Sequence, residues 1–164
     1  MKFTAIHTYQ GDTEKIFRML TDQNSHINKY EKAGCKNIII TERSEKDGKI
    51  IIRSTRDAPS TAPGFAKKIL GAYNTMIQED IWEISDKPVK KGSFSCKVKG
   101  APVTISGDFE LRPKSVGCEI EMKMDLKVNV PLIGGKIEPF LKGDTQAALN
   151  SDEAFFQEYE KTYE

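Results

Sequence analysis

Two neighbouring acids inside an apolar segment are the first candidates for chemistry in this chain. Glu79 and Asp80 precede Trp82, and Asp80 shares the alternation of Met76 and Trp82 while Glu79 falls on the opposite face. An acid that faces an apolar interior is desolvated, which raises its pKa and prepares it to exchange a proton. The pattern leaves three arrangements open: Asp80 inside, Glu79 inside, or a bulge or edge position that keeps the acid in water.

The other reactive residue types lack the neighbours that catalysis or metal binding requires. His7 and His26 are the only histidines, and neither has an acid or a cysteine at a metal-ligand spacing. No serine lies near a histidine or in a nucleophile elbow. Gly134 and Gly135 precede a helical pattern without the rest of a nucleotide-binding motif, so we interpret them as a flexible corner. The sequence therefore predicts no catalytic residue other than a cavity acid, no metal site and no cofactor.

Composition and charge indicate one globular domain without a nucleic-acid partner. Hydrophobic residues make up 38% of the 164 positions, and 25 Lys and Arg nearly cancel 24 Asp and Glu. Because these charges are interspersed, the chain has no basic stripe that would bind a phosphate backbone. No linker rich in Pro, Gly or Ser divides the sequence, which predicts a single domain over residues 1–164.

The cysteines and the apolar stretches bear on the compartment. Cys35, Cys96 and Cys118 are odd in number and none lies in a Cys-x-x-Cys pair, so free thiols in a reducing compartment are expected. The first residues lack a secretory signal pattern, and no stretch approaches the roughly 18 apolar residues of a membrane span. We therefore expect a cytoplasmic protein.

The clearest structural pattern is the alternation between Cys118 and Val130. Apolar residues occupy every second position and polar residues the positions between them, which is typical of a strand with one buried face. An amphipathic helical stripe follows, formed by Ile137, Leu141, Ala148, Phe155, Phe156 and Tyr159. We expect this helix to lie across the apolar face of an antiparallel sheet.

The bounds of that last helix are less clear from the sequence. Pro139 is acceptable only in a first turn, so the regular helix is predicted to begin near Glu138. Gly143 weakens a helix interior, and Asn150 with Glu153 forms a potential capping box. A break within residues 143–150 is therefore an open alternative.

The preceding segments predict two short helices and about six further strands. Residues 2–9 form a first strand, Asp12 caps a helix that ends near Thr21, and a second helix runs from Asp22 to Gly34. A hairpin turns at Asp47 and Gly48, and strands are expected at about residues 73–85, 93–99, 102–112 and 117–130. Residues 58–72 are interpreted as a loop with a short helix.

The order of these elements, together with several local segments, resembles a known superfamily. The segments are Pro63-Gly64-Phe65, Trp82 and residues 100–107 and 131–138. The chain resembles the START-like superfamily, also called helix-grip, Bet v 1-like or polyketide cyclase, and within it an uncharacterised, mainly bacterial family of unknown function. The resemblance implies an α+β helix-grip fold, in which a curved seven-stranded antiparallel sheet wraps around a long C-terminal helix, with two short helices after strand 1 and an apolar cavity.

The leading functional hypothesis is a binding protein, either a carrier or a sensor, for a hydrophobic small molecule or lipid. We expect the cavity between the sheet and the last helix to be lined by Trp82, Phe94, Phe109, Met122, Met124, Ile137 and Leu141. Because apolar lining residues define a shape only collectively, the identity of the ligand does not follow from them.

Two alternatives remain open. One is an enzyme like the cyclases or dehydratases of the superfamily, with Asp80 or Glu79 as the acid. The other is a protein-interaction domain like its co-chaperone members. In addition, Phe65, Ile69 and Leu70 beside Lys67 and Lys68 form either a lid or a surface for transient contact with a membrane. The pattern carries no information on the oligomeric state.

Overall fold

One antiparallel sheet, two short helices after its first strand and a long last helix organise the described part of the chain. The computed structural model describes residues 1–60, 64, 67, 68 and 71–164. Its elements, numbered in chain order, are β1 (Lys2–Tyr9), α1 (Thr13–Leu20), α2 (Gln23–Lys32), β2 (Lys36–Lys46), β3 (Lys49–Pro59), β4 (Tyr73–Glu83), β5 (Lys90–Val98), β6 (Val103–Pro113), β7 (Cys118–Val128) and α3 (Gly134–Tyr159). The strands form a seven-stranded sheet in the order β1-β7-β6-β5-β4-β3-β2. The α+β helix-grip fold predicted from the sequence is confirmed.

The alternating strand β7 defines the two faces of the sheet. Each of its apolar residues from Cys118 to Val128 is buried, and the polar residues between them are half-buried or exposed. The strand ends at Val128, two residues earlier than expected. Met124 pairs with Phe3 of β1 and Gly107 of β6. We call the face that carries these apolar residues the inner face.

Two capped helices close one end of the inner face. The Asp12 carboxylate accepts a hydrogen bond from the Lys15 amide, and the Asp22 carboxylate accepts one from the Asn24 amide, as expected for N-caps. Helix α1 packs Phe17 against the main apolar cluster of the sheet. Residue Glu160 then joins the end of α3 to the turn before α1, because its carboxylate accepts the Gly11 N–H at 2.7 Å.

Helix α3 begins earlier than predicted and continues without a break. It starts at Gly134 rather than near Glu138, since helical hydrogen bonds already form there, for example from Ile137 N–H to Ile133 O at 3.2 Å. Pro139 therefore lies inside the helix, where it cannot donate a backbone hydrogen bond. A glycine is required at 134, because a Cβ there would lie 2.3 Å from the Val128 carbonyl oxygen. The helix passes through residues 143–150 as one element of 26 residues.

The turns and strand ends otherwise follow the sequence closely. Asp47 and Gly48 both have positive φ, 54° and 74°, as a tight hairpin requires. Strand β5 begins at Lys90, three residues before the predicted start, because Lys90 is buried against Glu14, whose carboxylate lies 2.8 Å from its ammonium. The short helix predicted within residues 58–72 lies largely outside the described residues.

Candidate ligand site

Helix α3 is buried at its two ends and not in its middle. All 26 residues of the helix are described, and of these only Gly134, Ile137 and Phe156 are buried. Phe3 and Ile105, on the inner face of the sheet, remain partly exposed although they pack against buried clusters. The middle of α3 is therefore not buried against the sheet, and the inner face keeps partly exposed apolar side chains.

Three stacked aromatic rings lie on the inner face of the sheet. The Phe109 ring lies between Trp82 and Phe94, with centroid separations of 5.1 and 4.9 Å and nearly parallel planes. Glycines on the neighbouring strands make room for the stack, since a Cβ at Gly92 would lie 2.9 Å from Trp82 and one at Gly107 would lie 2.9 Å from Phe94. The stack is a compact wall with little freedom to rearrange.

The seven residues expected to line a cavity fall into two groups. Five pack in one apolar cluster or against it: Trp82, Phe94, Phe109, Met122 and Met124. The other two belong to a second cluster around Leu126, where Ile137 is buried and Leu141 is half-buried. Phe3 and Ile105 pack against both clusters and connect them. The structure therefore does not bring all seven into one patch.

A group of polar residues interrupts the inner face at the strands farthest from β1. This polar corner consists of residues of β3, β4 and α2, namely Ser54, Arg56, Gln78, Asp80, Lys29 and Tyr30. Asp80 is buried, and its carboxylate accepts a hydrogen bond from the Gln78 amide at 2.9 Å. Glu79 lies on the outer face, where Arg53 donates to it at 2.6 Å. Of the three arrangements left open by the sequence, the structure has Asp80 inside.

An ion pair joins the polar corner to α3. The Lys29 ammonium lies 3.6 Å from the Asp152 carboxylate and 4.8 Å from the centroid of the Tyr30 ring. Burial alone would lower the pKa of Lys29, but Asp152 and Tyr30 together raise it above its ordinary value. Lys29 is therefore charged at neutral pH, and its charge is compensated by Asp152.

Arg56 makes no ion pair with a described carboxylate, although the charge of Asp152 acts on it from farther away. Its guanidinium lies 4.0 Å from the centroid of the Tyr30 ring and beside the thiols of Cys35 and Cys96. Burial raises the pKa of both thiols, so they are protonated at neutral pH and are poor nucleophiles. The Nη1 atom of Arg56 is buried without a hydrogen-bond partner among the described residues.

Both histidines are buried rather than at the surface. His26 lies with Nε2 2.8 Å from the Leu20 carbonyl oxygen, and burial lowers its pKa although the charge of Asp80 opposes this shift. Burial also lowers the pKa of His7. Both rings are therefore neutral at neutral pH. Within the described part of the chain, no group of three or more His, Cys, Asp and Glu is placed to hold a metal ion.

The outer face carries two open depressions of a different character. One, of about 430 Å³, is lined mainly by charged residues of both signs, including Lys91, Asp108 and Glu121. The other, of about 310 Å³, lies beside Arg53 and Glu79. Solvated charges of both signs do not favour an apolar ligand, so the inner face is the better candidate site.

Sequence reasoning named Asp80 but missed Arg56 and Asp152, although a signal for each was present. Arg56 shares the alternation of Ile50 and Ile52 in β3, which places a cation on the inner face. Asp152 lies four residues before the buried Phe156, on the same stripe of α3. In both cases, the signal was a charged residue at a position where the pattern predicts an apolar one.

Sequence comparison identifies one family and no curated relative. The sequence model of DUF2505, described as a protein of unknown function, matches residues 4–159. None of the curated proteins matches the chain.

Solved structures share the fold at low sequence identity. TTHA0849 from Thermus thermophilus is 12% identical, with a TM-score of 0.71 over 98% of this chain and 97% of that one. Ara h 8.0201 is 14% identical, with a TM-score of 0.57 over 94% of this chain and 96% of that one. The di-domain ARO/CYC StfQ from the steffimycin biosynthetic pathway is 12% identical, with a TM-score of 0.58 over 96% of this chain and 51% of that one.

Among the described residues, no helix is both long and apolar enough to cross a membrane. The lysine-flanked segment proposed as a lid or membrane contact, residues 65–70, lies largely outside them.

Proposed function

We propose that this chain, which belongs to DUF2505, a family of proteins of unknown function, holds a hydrophobic small molecule or lipid between the sheet and α3. The observation that carries the proposal is the burial of α3 at its ends alone, above an inner face whose Phe3 and Ile105 stay partly exposed. Apolar surface that the protein does not cover itself is stabilised when a ligand covers it.

The lining of the site extends the set expected from the sequence. Met122, Met124 and the aromatic stack supply one end, and Ile137 and Leu141 supply the other. Phe3 and Ile105 join the set because they lie between the two ends. Apolar walls with a few polar groups at one side are typical of sites for small apolar molecules.

Binding is tested on protein freed of co-purifying lipid. Native mass spectrometry of the protein as purified should detect a bound apolar molecule, and adding the extracted molecule to stripped protein should raise the unfolding temperature. If no molecule co-purifies and no apolar compound raises that temperature, the proposal is wrong.

A matched pair of variants locates the site. Ile105→Trp adds volume on the inner face, whereas Ser106→Trp adds the same ring on the exposed outer face of the same strand. We expect Ile105→Trp to weaken ligand binding at least about 10-fold, since an overfilled site loses the space the ligand needs. Ser106→Trp should bind as the unmodified protein does, and equal binding by both variants would place the ligand elsewhere.

A second candidate function, an enzyme that uses Asp80, is favoured by one observation. The Asp80 carboxylate is buried on the inner face and close enough to His26 to affect the pKa of that histidine. An acid and a neutral imidazole beside an apolar ligand provide the groups for proton transfer. Incubating the extracted ligand with stripped protein and following its mass distinguishes the functions. A carrier leaves the ligand unchanged, and an enzyme converts it in a reaction that Asp80→Asn abolishes.

A further inference from the structure

The two arginines of β3 differ in how their charges are satisfied. Arg53, on the outer face, donates to Glu42 at 2.9 Å and to Glu79 at 2.6 Å. Arg56, three residues later on the inner face, has no ion pair with any described carboxylate, and its closest neighbours are the Tyr30 ring and two thiols. A guanidinium whose Nη1 atom is buried without an acceptor is unfavourable unless something else supplies one.

The charges around Tyr30 leave an excess of one cation. Arg56 and Lys29 lie 4.0 and 4.8 Å from the centroid of that ring. The Asp152 carboxylate pairs with Lys29 at 3.6 Å and acts on Arg56 only from beyond ion-pair distance. Asp80 acts on Lys29 but lies farther from Arg56. It is paired in the sheet with Ile52, four residues before Arg56, or about 13 Å along the strand, and it is bound to Gln78.

Other buried polar atoms near Arg56 also lack a hydrogen-bond partner among the described residues. Besides Nη1 of Arg56, the Tyr30 hydroxyl and the Asn74 side-chain oxygen are buried without a hydrogen-bond partner among the described residues. Asn74 faces Ala58, and Ala58 follows Arg56 on the same face of β3, so the two side chains are diagonal neighbours. The guanidinium and the hydroxyl can both donate to one acceptor group, and Asn74 can donate to it as well when its side-chain amide is turned to present the nitrogen.

The inner face offers an apolar path away from this point. Arg56 stands opposite Met76, which stands opposite Val98 on the next strand. Cys96, on the same face of that strand, pairs with the partly exposed Ile105 of β6. A chain of carbon atoms that starts at Arg56 therefore reaches the partly exposed apolar side chains of the inner face without crossing a second charged side chain of the strands.

We propose that the ligand is an amphiphile with a carboxylate head group, and that Arg56 binds this carboxylate in the polar corner with the help of the Tyr30 hydroxyl. The proposal rests on the proposed binding function, because it names the chemical class of the ligand for that same space. A planar guanidinium matches a carboxylate with two parallel hydrogen bonds, and its stacking on a ring leaves its edge available for them.

The test compares head groups on one alkyl chain. Dodecanoate, dodecan-1-ol and methyl dodecanoate compete with a fluorescent apolar probe for lipid-free protein at pH 7.5. We expect the carboxylate to bind at least about 10-fold more tightly than the alcohol or the ester, in line with a charge-assisted hydrogen-bonded pair.

Three variants assign the preference to Arg56. In Arg56→Met the carboxylate should lose about 10- to 100-fold in affinity, while the alcohol changes little. Tyr30→Phe should lose less, because it removes one neutral donor and keeps the ring. Arg53→Met, on the outer face of the same strand, is the matched control and should keep the full preference.

The outcomes separate this inference from the proposed function. If none of the three compounds binds and no other apolar compound does, the proposed function itself fails. If all three bind equally and Arg56→Met changes nothing, the site exists but water fills the polar corner, and the head-group inference is overturned. Should Arg56→Met fail to fold, Arg56→Lys keeps the charge without the paired geometry, and a reduced ratio of carboxylate to alcohol affinity supports the inference, whereas an unchanged ratio contradicts it.

Discussion

The inner face of the sheet has an apolar end and a polar corner, and the two are built differently. At the apolar end, β7 buries each of its apolar residues, including two methionines, and β4, β5 and β6 contribute the stacked rings. In the polar corner, β3 and β4 place Arg56, Gln78 and Asp80 on the same face. The apolar end holds the fold together, whereas the polar corner contains buried groups that the protein does not fully satisfy, which is typical of a site that binds something else.

The largest expected effect concerns the apolar end. Leu126→Ala removes a side chain with 0% exposure in the cluster that also contains Ile137, and should lower the free energy of unfolding by about 2–5 kcal/mol. Leu132→Ala is the matched control, since Leu132 is 99% exposed. Urea denaturation of both variants measures the difference. A small loss in Leu126→Ala would mean that this cluster does not anchor α3.

The next largest effect concerns the close packing of Gly107 against β7 and the aromatic stack. Gly107→Ala places a Cβ 2.1 Å from the Lys123 carbonyl oxygen and 2.9 Å from Phe94, and should lower the free energy of unfolding by about 1–3 kcal/mol. Gly143→Ala meets no atom within 4 Å and should instead raise it by about 1 kcal/mol, because alanine favours the helix. If the two variants shift stability in the same direction, the packing around the stack is looser than described.

A smaller effect is expected from the ion pair of the polar corner. Lys29→Met leaves the Asp152 carboxylate without its cation and should lower the free energy of unfolding by about 1–2 kcal/mol. Lys161→Met, which breaks an exposed pair with Glu158 at 3.0 Å, should change it within experimental error. Because Lys29 joins α2 to α3, hydrogen exchange should also increase in α3, and unchanged exchange would show that the pair does not fix the helix.

The smallest effect is a pH dependence from His26. Its pKa is lowered by burial, so between that value and the ordinary 6.5 the unfolded chain binds more protons than the folded protein. Stability should therefore fall as the pH falls through about 6.5. His26→Gln should reduce this slope and leave the part due to His7, whose pKa is also lowered by burial, and NMR should show the His26 ring titrating below 6.5 in the folded protein. A ring that titrates above 6.5 would contradict its burial.

The sequence predicted the apolar end far better than the polar corner, and the reason is physical. Alternation in β7 follows from one wet and one buried face, so burial could be assigned residue by residue. In β3, Arg56 occupies a position of the buried alternation although its side chain is charged. The sequence would be the same if that side chain pointed into water. Whether a charge is paired depends on α2 and α3, which approach it only in the folded protein.

The start of α3 shows the same limit on a smaller scale. Pro139 predicted a helix beginning near Glu138, yet the chain turns helical from Gly134 because the glycine fits against the Val128 carbonyl. Local rules for proline describe an isolated helix, whereas here the contact with β7 fixes where the turn begins. The continuity of the helix across Gly143 was likewise a matter of tertiary packing.

The order of strands also determines when the fold can be completed. Each strand from β2 to β7 pairs with its neighbour in sequence, whereas β1 pairs only with β7, the last strand to be synthesised. The local hairpins can form as the chain emerges from the ribosome, but the seam between β1 and β7 requires both ends of the sheet. Phe3 and Ala5 stay uncovered until then, so closing this seam should be the slow, late step of folding and the interval in which the nascent chain most needs protection from aggregation.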